Sequence, residues 1–141
     1  MTRHEERELI FTLLYEYTFY EGADADAFIS SREEMAETSY PPFVKETFTG
    51  VISSLAEIDR DVAEYSVGWK VKRMSRVTRS ILRLAVYELS FTDTPPKAVI
   101  NEAVEIAKTY DDEKASGFIN GILNNYARAT GKIAKDATVD E

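Results

Sequence analysis

Arg76, Arg79 and Arg83 stand at i, i+3 and i+7, a spacing that sets three guanidinium groups on one face of a helix, where they can follow a run of phosphates. They close a longer basic run, Lys70, Lys72, Arg73, Arg76, Arg79 and Arg83, in which fourteen positions carry no acid. A polyanion should be sought there first. Arg83 also has an inward reading: it follows Ile81 and Leu82 directly, and an internal ion pair with Glu88 or Glu102 would draw it into the fold. Farther along, Lys114 precedes Phe118 by one helical turn, so a cation and a ring that can stack on an unpaired base share a face. The same ring, one turn before Ile122, equally suits a core.

Catalytic chemistry finds little to work with. The chain has one histidine, His4, whose place near the terminus suits an exposed residue better than a positioned base. It has no cysteine, which removes thiol nucleophiles, disulfides and thiolate zinc sites. HExxH, Walker A, GxGxxG and GxSxG patterns are all missing from the sequence. Asp24 and Asp26 lack the glycine and final glutamate of a calcium loop, and read as a helix cap and solvated surface. Asp111, Asp112 and Glu113 read as a loop ahead of a helix, where negative charge favours the N-terminal dipole. Gly117 and Gly121, four apart, suit close helix packing better than a phosphate cradle. No cofactor or metal is expected.

With 141 residues, 44% hydrophobic and 30% charged, the chain can bury one domain's core without staples. Net charge is −8, which argues against nucleic-acid binding by bulk attraction. The average hides a division: residues 1–69 hold five Lys or Arg against fifteen Asp or Glu, and residues 70–141 hold twelve against ten. The opening MTRHEERELIF puts charge first, and no apolar run is long enough to span a bilayer, so a cytoplasmic protein without membrane contact is expected.

The elements that must position these groups are helical. Leu9, Ile10, Leu13, Leu14, Tyr17 and Tyr20 keep a helical period that ends before Gly22. Asp24 can cap a helix from Ala25 to Glu37. Pro41 and Pro42 start a long helix in which Val44, Phe48, Val51, Ile52, Leu55, Ile58, Val62 and Tyr65 hold the period for about six turns. Gly68 interrupts it, and Trp69 to Arg73 reads as a turn or short irregular helix. Ser75 can cap a helix from Val77 to about Thr92; Val99 to Tyr110 and Phe118 to Tyr126 form two more, the last stopping at Gly131. The expected fold is all-α, six to seven helices in one domain, with packed subbundles at about 1–67 and 68–131 and a tail from 132 to 141.

The stretch Pro96-Lys-Ala-Val-Ile-Asn-Glu-Ala-Val-Glu-Ile-Ala-Lys-Thr-Tyr110, followed by Phe118-Ile-Asn-Gly-Ile-Leu123, closely resembles the signature of the NusB family of bacterial transcription antitermination factors. Ile81 to Leu89 resembles that family's middle helix, and Arg7-Glu8 with Leu13-Leu14-Tyr15 its first. The resemblance implies two roughly perpendicular helical subbundles and no enzymatic activity. It implies an RNA-binding adaptor that, with the ribosomal protein NusE, holds the boxA element of nascent ribosomal RNA near RNA polymerase in an antitermination complex. The residues expected to bind RNA are Arg76 and Arg79, from their spacing, and, with the resemblance in view, Arg3, Arg7, Lys114, Phe118 and Asn120. Two departures matter: the arginine-rich arm of the family corresponds here to Arg3, His4, Glu5, Glu6 and Arg7, and Lys114 stands where the family often has an acid. The first weakens free RNA binding and its salt dependence; the second partly offsets it. Two other readings stay open: a helical adaptor that binds protein alone, and an accessory module of an RNA methyltransferase, for which the chain has no cofactor-binding α/β domain.

Overall fold

The computed structural model describes residues 1–66 and 71–133, apart from the Lys72 side chain. The expected break at Gly68, the side chains of Lys70 and Lys72, and most of the tail lie outside the described residues. Regular structure among them comprises seven α-helices and a 3₁₀ turn at Val71–Arg73. Helix α1 is Arg3–Tyr17, α2 Ala25–Ala36, α3 Pro42–Ser53, α4 Leu55–Tyr65, α5 Arg76–Phe91, α6 Pro96–Tyr110 and α7 Glu113–Ala129. Helices α1, α2 and α3 pack together, as do α5, α6 and α7; α5 also touches α1, α3 and α4, and α4 lies mainly on α5 and α7.

Local chemistry explains where most helices begin. Thr2 and Glu5 form a reciprocal capping box on α1: the Glu5 N–H donates to Thr2 Oγ1 at 3.1 Å and the Thr2 N–H to Glu5 Oε1 at 2.8 Å. Asp24 and Ser75 cap α2 and α5 by accepting from the Ala27 and Thr78 N–H groups. Asp112 does the same for α7, so that helix starts at Glu113, a turn earlier than its apolar stripe suggests. Pro42 and Pro96 sit at the first positions of α3 and α6, where a missing N–H costs nothing.

The long helix expected from Pro42 to Tyr65 is two. Hydrogen bonds from Ser54 N–H to Gly50 O and from Ile58 N–H to Ser54 O run on either side of the joint, but Ser54 adopts φ −111° and ψ 16° and ends α3. The apolar period passes through unbroken because both segments bury a face; the bend lets α3 lie on α1 and α2 while α4 turns to α5 and α7.

Helix α5 is the axis of the molecule. Ile81, Leu82, Leu84, Ala85, Val86 and Leu89 are all buried, and so are Arg83 and Glu88. Apolar side chains cover more than one face, as in a helix enclosed by others. A rim of rings, Tyr17, Phe28 and Phe48, closes the first group with centroids 5.4 to 5.9 Å apart. The Tyr17 hydroxyl donates to Ala23 O at 2.8 Å and fixes the turn that carries Glu21 toward α5.

Candidate nucleic-acid interface

A cleft of about 420 Å³ opens where the start of α5 meets the α6–α7 turn; Arg73, Ser75, Thr78, Asp111, Lys114 and Phe118 are among its lining. Lys114 and Arg73 are exposed, and Phe118 is half-buried, one side on the core and the other toward the cleft. The early start of α7 makes this possible: Lys114 and Phe118 are one turn apart on a continuous helix, so cation and ring share a wall.

The neighbouring groove, about 210 Å³, is lined by Phe11, Thr12, Tyr15, Val77 and Tyr110. Its lining adjoins that of the first cleft in sequence at Val77–Thr78 and Tyr110–Asp111. Tyr110 is 42% exposed and packs on Phe11 with centroids 4.8 Å apart. Burial and then the field of Glu8 raise its hydroxyl pKa, so the tyrosine is a neutral stacking surface. Just past the end of α1, Phe19 is 54% exposed, edge-on to Tyr15 at 5.6 Å, with the Arg76 guanidinium 4.1 Å above its ring. Aromatic faces and cations therefore share the surface around the α5 N-terminus with the carboxylates of Asp111 and Asp112, and the rings and cations suit unpaired bases and their phosphates.

The residues expected to bind RNA divide between this surface, the interior and the opposite end. Arg76 is half-buried; its Nη1 donates to Thr18 O at 2.7 Å, which fixes its plane over Phe19. Arg79 is drawn inward, with Nη2 donating to Met74 O at 3.3 Å and Nη1 3.9 Å from Glu21. Burial, with the charges of Arg83 and Arg76, lowers its pKa against the pull of Glu21 and Asp59. Arg83, 3% exposed, binds Asp59 in bidentate fashion at 2.8 and 2.9 Å and Glu21 at 2.9 Å. Burial opposes its charge, and Asp59 and Glu21 outweigh that, so its pKa is raised. The inward reading of Arg83 holds with different partners: the carboxylates come from α4 and the α1–α2 turn, in place of Glu88 or Glu102.

Glu88 instead takes Arg7. That guanidinium, 7% exposed, donates through Nε to Glu88 Oε2 at 2.9 Å and through Nη2 to Oε1 at 2.8 Å. Because α1 already begins at Arg3, position 7 shares a face with Ile10, Phe11 and Leu14, three, four and seven residues on, and that face is buried. Arg3 is exposed, paired with Glu6 at 3.3 Å and lying 3.8 Å over the Phe43 ring. Helices α1 and α5 run antiparallel, with Arg7 beside Glu88 at one end and Thr18 beside Arg76 at the other, so Arg3 stands about 24 Å from the cleft along α5. Asn120, two residues past Phe118, turns away and accepts from Asn124 Nδ2 through its backbone and side-chain oxygens at 2.9 and 3.1 Å. His4, expected as an exposed residue, lies half-buried within α1 with its Nδ1 2.6 Å from Glu102.

Tyr110, Tyr15 and Phe19 carry no mark in the sequence that separates them from core aromatics; only their positions at helix ends hint that the rings emerge. Among the described residues no cluster of three or more metal-ligating side chains forms, and no helix is long and apolar enough to cross a membrane.

Residues 4–128 match the model of the NusB family. The chain belongs to that family. It is 40% identical to the transcription antitermination protein NusB of Pediococcus pentosaceus over 135 residues, covering 91% of this chain and 98% of the relative. The corresponding protein of Nitratidesulfovibrio vulgaris is 39% identical, with 91% and 88% covered. Among solved structures, T. maritima NusB superposes with a TM-score of 0.78 at 33% identity, covering 94% of this chain and 96% of that one. A structure described as antitermination factors NusB and NusE in complex with dsRNA superposes with a TM-score of 0.77 at 27% identity, covering 92% and 99%. As a NusB-family transcription antitermination factor, the chain works by recognition and not by catalysis.

Proposed function

We propose that the chain holds single-stranded, boxA-containing RNA across the α5 N-terminus, together with the ribosomal protein NusE, and so keeps a nascent ribosomal transcript near RNA polymerase in the cytoplasm. The observation that carries this reading is the pairing of Phe118 with Lys114 and Arg73 in one open cleft. A base stacks on Phe118, and its phosphates lie against Lys114 and Arg73. The strand continues over Tyr110 and Tyr15 toward Phe19 and Arg76, and Arg3 marks the far end of its path along α1. Arg79 supports the surface from within, while Arg7, paired with Glu88 near the far end of α5, and Asn120, bonded to Asn124, act through the fold. Anisotropy titration of a labelled boxA RNA, with and without NusE, tests the reading: salt-sensitive binding that NusE tightens supports it, and no binding in either condition overturns it.

The commitment of Arg7 and Arg83 to internal carboxylates favours a second reading, an adaptor that binds protein alone. In that case partner binding is insensitive to salt and no RNA is retained.

A further inference from the structure

His4 is the only histidine in the chain, and its ring sits between two helices with a carboxylate at each nitrogen. Nδ1 lies 2.6 Å from Glu102 Oε2 on α6, and Nε2 lies 3.5 Å from Glu8 Oε1, one turn along α1. A neutral imidazole offers one N–H and one lone pair, so in this setting it would turn a lone pair toward an anion. The imidazolium presents N–H to both. We propose that His4 is a protonated bridge that ties the leading turn of α1 to α6 and releases it as the pH rises, a pH-sensitive clamp at the tip that carries Arg3.

The surroundings favour the charged ring from each neighbouring element. Glu8 and Glu5 flank it on α1, and Glu102 and Glu105 face it from α6. Glu102 also feels Arg7, whose guanidinium is neutralised by Glu88 of α5, and Glu8 is met by the Tyr110 hydroxyl. The hydrogen bond to Glu102 raises the pKa of His4 above 6.5; burial opposes it, and the charges of Glu102, Glu8 and Glu105 add to the rise. A folded pKa above the unfolded one means that the stabilisation is complete below 6.5 and fades as pH climbs through the folded value.

The clamp operates without RNA and is tested without it. Because the chain has a single histidine, proton NMR of the whole protein follows one imidazole signal through a pH titration. The expected midpoint lies above 6.5 and falls toward that value in Glu102→Gln, with a smaller fall in Glu8→Gln, which leaves Arg7 untouched. A wild-type midpoint at or below 6.5, or one unchanged in both variants, overturns the proposal. Thermal unfolding supplies a second readout: from pH 6.5 upward the Tm of the wild type should fall relative to that of His4→Gln. Parallel curves through that range would also overturn it.

Discussion

Arg7 and Phe118 show how differently a side chain serves recognition from inside and from the surface. Arg7 and Glu88 are both buried and bonded in bidentate fashion, so removing either leaves an uncompensated charge in the interior. Arg7→Met or Glu88→Gln should each cost about 3–5 kcal/mol in urea unfolding, and the double replacement by apolar residues should recover much of that loss. A charge change at Arg7 thus acts on the fold before it acts on any ligand. Phe118 is half-buried, and its outer side faces the cleft. Phe118→Ala should keep the helical circular dichroism and weaken RNA binding by about 1–3 kcal/mol, the worth of one stacked base. The sequence leaves Phe118 open between core and ligand because its spacing to Ile122 satisfies both, and in the structure the ring packs on the core while also lining the cleft.

At the scale of the helices, α3 and α5 approach so closely that Gly50 has no room for a side chain: a Cβ there would overlap the Tyr87 ring, with Cε1 2.8 Å away. Gly50→Ala should destabilise by about 1–3 kcal/mol through overpacking. In combination with Tyr87→Ala the loss should be smaller than the sum of the two single losses, which a double-mutant cycle in urea would show. Helix starts were legible because caps act locally: Asp24 and Ser75 announce their helices by bonding to N–H groups three residues ahead. The joint at Ser54 was not, since it reflects which neighbours each half packs on, and those contacts are distant in sequence. The partners of Arg83 escaped for the same reason. Asp59 and Glu21 lie 24 and 62 residues away, and no local pattern points to them.

For the molecule as a whole, the charge division has a structural meaning. The acids of the first half supply Glu21 and Asp59, which neutralise Arg83, and Glu21 also draws Arg79 inward, so the arginines on α5 tie that helix to the α1–α2 turn and to α4. Among the described residues the surface proposed for RNA, around the α5 N-terminus, is small, cationic and aromatic, so few phosphate contacts and a shallow salt dependence are expected. The family was legible from the INEAVEIAK and FINGIL segments because they shape α6 and α7. The division of the expected contacts between an open cleft, a buried ion pair and a distant tip required the fold.

The most direct measurement is an anisotropy titration of single-stranded boxA RNA over a series of salt concentrations, comparing the wild type with Lys114→Glu and Phe118→Ala. RNA held in the cleft predicts weaker binding in both variants and, for Lys114→Glu, a salt slope shallower by about one contact. Wild-type affinity and slope in both variants would contradict it.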